Sequence, residues 1–112
     1  MMVNAASVGE YALRRLKALM EQYDCIGEVR GKGLMIGIEF VKDRQSKEAD
    51  VVLRDRVADE AFQRGLLTLG CGKSTIRIAP PLCLTRSEAN EALEIFESAI
   101  SLSEAKEQLV AA

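Results

Sequence analysis

The residue with the clearest chemical use in this sequence is an arginine on a short alternating run. In Thr75-Ile76-Arg77-Ile78 the period of two places Ile76 and Ile78 on one face and Arg77 alone on the other. A guanidinium grips a carboxylate through two parallel hydrogen bonds, so an arginine fixed on a rigid strand makes a carboxylate clamp. A half-solvated strand has the same pattern, and pattern alone leaves both readings open. The residues just before it contain a decoy. Gly72-Lys73-Ser74-Thr75 has the G-K-S-T end of a phosphate-binding loop, but the full motif G-x-x-x-x-G-K-[ST] needs glycine where Leu67 stands. It must also lead into a helix, whereas here an alternating strand follows. Nucleotide hydrolysis is excluded on both counts. Gly31 and Gly33 likewise sit between two strands instead of opening a helix, so they form no dinucleotide fingerprint.

The absences are equally informative. The sequence has no histidine, which removes Ser-His-Asp and Cys-His catalysis and most transition-metal sites. Cys25, Cys71 and Cys83 are odd in number and widely spaced, as expected of reduced thiols and not of a disulfide framework or zinc site. Cys71 lies near Arg77, yet nothing adjacent would depress its pKa. No catalytic residue and no metal ligand set is expected. Net charge is −2 with both signs interspersed, giving neither a basic patch for nucleic acid nor a polybasic membrane anchor. No apolar run reaches the roughly 18 residues of a membrane span, and Met1-Met2-Val3-Asn4 lacks the regions of a signal peptide. The expected location is the cytoplasm.

The elements that must position Arg77 follow from periodicity. With 112 residues, 48% apolar and 29% charged, the chain has the size and balance of one globular domain spanning 1–112. Ser7-Val8-Gly9-Glu10 has the form of a capping box, and Val8, Ala12, Leu16, Leu19, Met20 and Tyr23 form one apolar stripe, predicting a helix over about 6–23. Ile26 to Arg30 reads as a strand, Gly31-Lys32-Gly33 as a turn, and Leu34 to Val41 as the return strand. There Leu34, Ile36, Ile38 and Phe40 share one face, with Met35, Gly37, Glu39 and Val41 on the other. Arg30 and Glu39 are placed to pair across this hairpin in a structural role. Lys42 to Lys47 is a charged loop. A second helix over about 48–64 would bury Leu53, Val57, Ala58, Ala61 and Phe62, with Gly65 ending it. From Gly65 to Leu82 the chain reads strand, glycine-containing loop, strand, with Pro80-Pro81 ending the pairing. Thr85-Arg86-Ser87-Glu88 is another capping box, opening a helix over about 86–101 that can continue towards Leu109 before it frays. The order α-β-β-α-β-β-α predicts an α+β fold, one largely antiparallel four-stranded sheet with helices on one face. The open face would carry Met35, Val41, Arg77 and either Leu67 or Thr68, apolar enough in part to imply a partner surface.

Two segments carry a wider resemblance. Val29-Arg30-Gly31-Lys32-Gly33-Leu34-Met35-Ile36-Gly37-Ile38-Glu39-Phe40 and Gly72-Lys73-Ser74-Thr75-Ile76-Arg77-Ile78-Ala79-Pro80-Pro81-Leu82, with Thr85 to Ile100 behind them, resemble the C-terminal small domain of class III pyridoxal-phosphate aminotransferases. This fold type I group includes 4-aminobutyrate, ornithine and acetylornithine aminotransferases and some related racemases, and the similarity runs from about Ser7 to Ser101. It implies a small domain that closes over an active site built mainly by a large pyridoxal-phosphate-binding domain, in a homo-oligomer such as a homodimer. It also implies transfer of an amino group between an amino acid or amine and a 2-oxo acid. None of Lys17, Lys32, Lys42, Lys47, Lys73 or Lys106 stands in the context of the family's cofactor lysine, so no cofactor is expected on this chain and the chain alone is expected to be inactive. Arg77 falls where the family's R-I/L-x-P-P-L pattern has a carboxylate-binding arginine, which tips it towards the clamp. Two alternatives stand beside this: a stand-alone module binding an amino acid or carboxylate through Arg77, and a dimerisation domain.

Overall fold

The computed structural model describes residues 2–32, 35–66, 68–72, 74–78 and 85–111; the side chains at 2–6, 32, 35, 71 and 107–111 lie outside this description. Seven elements follow in the predicted order: α1 (Met2–Gln22), β1 (Ile26–Lys32), β2 (Met35–Phe40), α2 (Val51–Gln63), β3 (Leu69–Cys71), β4 (Thr75–Ile78) and α3 (Arg86–Ala111). The strands form one sheet in the order β1-β2-β4-β3, every neighbouring pair antiparallel. The α+β fold expected from the sequence is the one observed.

The sheet packs because its strands gather most of their apolar side chains on one side, while Leu69, paired with Arg77, stays 59% exposed on the other. Val29, Ile36, Ile38, Phe40 and Ile76 are buried in one cluster with Leu16 and Leu19 of α1, Leu53, Val57 and Ala61 of α2, and Leu93, Phe96 and Ile100 of α3. The rings of Phe40 and Phe96 meet edge to face, 6.4 Å between centroids, an arrangement that suits the aromatic quadrupole. Helix ends are set by local chemistry. The Asp50 carboxylate accepts the Leu53 amide at 3.0 Å and caps α2. Gly65 follows α2 with φ +93°, a left-handed turn that glycine takes without steric cost. At α3 the predicted capping box is complete: the Glu88 amide donates to Thr85 Oγ1 at 3.1 Å and the Thr85 amide to Glu88 Oε1 at 3.1 Å.

Several boundaries differ from expectation. α1 starts at Met2, so Ser7 lies inside a helix and its box is not a start; nothing in Val3-Asn4-Ala5-Ala6 breaks helical propensity upstream. β1 runs two residues past Arg30, so Gly31 and Lys32 pair with Ile36 and Met35; Gly33 and Leu34 lie outside the described residues. Gly70 belongs to β3, opposite Ile76, and is not in the loop. Leu67, Lys73, Pro80, Pro81 and Cys83 fall outside the described residues. α3 continues without a break to Ala111.

Two face assignments are corrected. Phe62 is 64% exposed, because the buried stripe of α2 is Leu53, Val57, Glu60 and Ala61, and at 3.6 residues per turn Phe62 lies on the side of the helix opposite Leu53. The buried Glu60 carboxylate receives Arg64 Nη1 at 2.6 Å and the Lys106 ammonium of α3, an ionic tie between the two helices. Val41, expected on the open face, is only 2% exposed; its amide donates to the Cys25 carbonyl at 2.8 Å and it bridges to Ala49, so the chain folds back over it.

Phe96→Ala is expected to cost about 3–5 kcal/mol in urea unfolding, as cavity formation does, whereas Phe62→Ala should shift stability by less than about 0.5 kcal/mol. Equal losses would contradict the packing described here.

The hydrogen bonds from Lys106 and Arg64 hold the Glu60 carboxyl below its ordinary pKa, and the Thr85 amide and hydroxyl do the same to Glu88. A carboxyl lowered on folding contributes stability in full above its unfolded pKa of about 4.3. That contribution is lost as pH falls through the lower folded values. Urea midpoints measured from pH 6 down to pH 2 should therefore fall below about pH 4.3, and Glu60→Gln should flatten the fall while lowering the pH 6 midpoint.

Candidate carboxylate-binding site

Arg77 stands where the alternation of β4 places it. Ile76 is fully buried, Ile78 packs against the core, and Arg77 is exposed on the opposite side of the sheet. Directly paired residues of an antiparallel sheet point to the same face. The pairings Arg30↔Gly37 and Gly37↔Arg77 therefore put Arg30, Gly37 and Arg77 in one row on that open face. A shallow depression of about 420 Å³ lies along this row, lined by Arg30, Gly37, Gly72, Thr75 and Arg77. Gly72 enters it from the β3–β4 turn with φ +60°, again the left-handed region that favours glycine.

The electrostatics of the rim are mixed. Arg30 Nη1 lies 3.0 Å from the Glu28 carboxylate and 3.6 Å from that of Glu39. The predicted Arg30–Glu39 pair is therefore present, and Glu28 joins it. All three side chains are substantially exposed, so these pairs add little to stability.

From the helix side the same hairpin is held by Arg54 of α2, a residue that sequence reasoning passed over. Its side chain is only 12% exposed, and Nη1 donates to the Thr75 carbonyl at 3.1 Å. A Cβ on Gly70 would come 3.0 Å from Arg54 Nη1, so a larger residue in β3 would push the guanidinium aside by a few tenths of an ångström. A glycine inside a strand is itself a sign of close approach, and that signal stands in the sequence. The Ser74 carbonyl accepts the Phe40 amide at 2.9 Å, tying the start of β4 to the end of β2. Thus the backbone carrying Arg77 is braced from beneath.

A second polar cluster lies away from the site, between α1 and α3. Arg15 Nη1 donates to Tyr11 Oη and Asn90 Oδ1, each at 2.9 Å, and the Tyr11 hydroxyl donates to Asn90 Oδ1. The Arg86 guanidinium sits over the Tyr11 ring at 4.7 Å from its centroid. Cys25 is half-buried, and burial followed by the neighbouring Glu104 carboxylate pushes its thiol well above the usual range. It is no thiolate nucleophile. The side chain of Cys71 lies outside the described residues.

Among the described residues no group of His, Cys, Asp or Glu could hold a metal ion, and no helix is long and apolar enough to cross a membrane. Gly72-Lys73-Ser74-Thr75 leads into β4, so its rejection as a phosphate-binding loop holds.

Comparison with known proteins gives the class. The profile of the family described as "Aminotransferase class-III" matches residues 1–100, and the chain belongs to that family. It is 46% identical over 99 residues to an alanine/serine racemase of Pyrococcus horikoshii, covering 87% of this chain and 20% of that protein. It is 38% identical over 101 residues to an alanine–glyoxylate aminotransferase 2 homologue of Arabidopsis thaliana, covering 88% and 21%. Among solved structures, an amine transaminase from an uncultivated Pseudomonas species in a PLP-bound form superposes with a TM-score of 0.83 at 41% identity, covering 89% of this chain and 23% of that one. The chain thus spans about a fifth of the length of the curated relatives it matches. The family implies pyridoxal phosphate, which requires an amine to carry it and an enclosing pocket. Lys17, Lys42, Lys47 and Lys106 are exposed, and none of them lines the depression beside Arg77. The described residues do not fit the cofactor.

Arg54→Met keeps the apolar stem but leaves the Thr75 carbonyl without its donor, and is expected to cost about 1–3 kcal/mol. In hydrogen exchange, protection should fall first at the β3 and β4 amides. Unchanged protection there would rule out the brace.

Proposed function

We propose that this chain is the C-terminal domain of a larger class III aminotransferase, a 4-aminobutyrate aminotransferase-like enzyme in which Arg77 holds a substrate carboxylate. The parent moves an amino group between an amino acid or amine and a 2-oxo acid, acts as a cytoplasmic homo-oligomer, and docks its large pyridoxal-phosphate-binding domain on the open face of this sheet. The observation that carries the reading is the position of Arg77: an arginine on the helix-free face, on a strand tied to both β2 and α2, in a depression open to a ligand. Orientation by such a bidentate contact lowers the entropic barrier to reaction without itself moving a proton. Pyridoxal phosphate, when bound by the parent, supplies the electron sink. No described residue replaces it, and on this reading the chain alone is inactive.

The 46% identity to an alanine/serine racemase supports a second reading, in which the parent inverts an amino acid at its α-carbon. Arg77 would serve both reactions in the same way, since each must hold the α-carboxylate still.

Incubation of the chain with pyridoxal phosphate followed by dialysis should leave no retained cofactor absorbance and no transamination. In an NMR titration of the isotope-labelled chain with pyruvate, amides around Thr75 to Ile78 should shift, and Arg77→Ala should weaken the response by at least about tenfold. Stoichiometric retained cofactor with turnover would refute the domain assignment; an undiminished response in Arg77→Ala would refute the role of Arg77.

A further inference from the structure

We propose that the seam between α1 and α3 holds a binding site for a phosphate group, in which the guanidinia of Arg15 and Arg86 grip one dianion beside the Tyr11 ring. The site lies apart from Arg77 and does not rest on the reading of that residue.

Two cations are brought together here without a counter-charge. The guanidinium carbons of Arg15 and Arg86 stand 5.8 and 4.7 Å from the centroid of the same ring, close enough to repel each other. Arg30, Arg44, Arg54 and Arg64 are each ion-paired with a carboxylate. Among the described residues Arg15 and Arg86 form no such pair. The acids nearest to them in sequence are turned elsewhere. The Glu88 carboxylate accepts the Thr85 amide and hydroxyl. Glu91 lines a separate depression with Arg64, and Glu10 is exposed, about 100° round α1 from Tyr11.

Arg15 is held in place without being used up. Its Nη1 donates to Tyr11 Oη and Asn90 Oδ1, and Tyr11 is itself bonded to Asn90 and packed against the core. A guanidinium carries five N–H donors, so Nε and Nη2 of Arg15 are left for a ligand. Arg86 donates to no oxygen among the described residues; what positions it is the face of the ring. A single carboxylate would satisfy one of these groups. A phosphate monoester offers three terminal oxygens and a charge approaching −2, enough for both, in the geometry that the arginine fork matches. Because the two arginines belong to different helices, the bound group would join α1 to α3.

The test is an NMR titration of the isotope-labelled whole chain with methyl phosphate and with methyl sulfate, near neutral pH and at fixed ionic strength. These anions share three terminal oxygens and differ by one negative charge, and fixed ionic strength holds general screening constant. Amides from Tyr11 to Arg15 and from Arg86 to Asn90 should shift, with methyl phosphate bound about tenfold more tightly, the scale of one charge-assisted contact. Arg86→Gln should weaken methyl phosphate by at least about tenfold, and Arg86→Lys should restore part of the loss. Arg14→Gln removes an equal charge from the exposed surface of α1 and should leave the affinity unchanged. Methyl phosphate should also raise the melting temperature, as a ligand of the folded state does, and Arg86→Gln should abolish that rise. Arg86 is exposed, so without ligand its variants should melt with wild type. The site is overturned by unsaturable shifts, by equal binding of the two anions, by undiminished affinity in Arg86→Gln, or by an equal loss in Arg14→Gln. Each of these results leaves the pyruvate test of Arg77 untouched.

Discussion

The pairing of β2 with β4 is the constraint on which the rest of the molecule depends. Its register sets Ile36 against Ile78 and Ile38 against Ile76 on the helix side, and Gly37 against Arg77 and Glu39 against Thr75 on the other. Because side chains alternate with a period of two, a slip of one residue would drive Arg77 into the core and lift Ile76 out of it. Burying isoleucine and presenting arginine are therefore one event. The hydrophobic effect selects the register, and which residues stand on the open face follows from it.

The helices then lock the sheet by polar contacts placed at the margins of the core. Arg54 reaches the Thr75 carbonyl through the gap left by Gly70. Glu60 joins α2 to α3 through Lys106, and Tyr11, Arg15 and Asn90 join α1 to α3. Each places hydrogen-bonding groups where an apolar contact would be less directional, which aligns elements that hydrophobic packing alone would let slide. Among the described residues the open face of the sheet receives no such cover, and Arg30 and Arg77 are exposed there.

The same framework superposes on transaminases and aligns with racemases alike. That is the expected relation between fold and chemistry: a scaffold positions groups, and the groups decide the reaction. What this chain presents is a shallow surface of mixed charge, backed by the sheet and by Arg54.

Local pattern determined a large part of this. The order of elements, the Thr85–Glu88 cap, the stop at Gly65, the buried Ile36-Ile38-Phe40 face and the outward Arg77 were all legible, because each depends on neighbours within a few residues. Where the sequence misled, the deciding factor lay outside the few residues being read. Val41 is buried by residues beyond its own strand, Phe62 is left outside because it lies on the side of α2 opposite Leu53, and Ser7 is helical because nothing upstream interrupts. Arg54 carries no local pattern that marks it, and its contact with the Thr75 carbonyl joins residues 21 apart. Strand alternation could place Arg77 on a face, but only strand order could bring Arg30 into its row. Those two residues stand 47 apart in sequence, with β2 between their strands, and no periodicity within one segment carries that information.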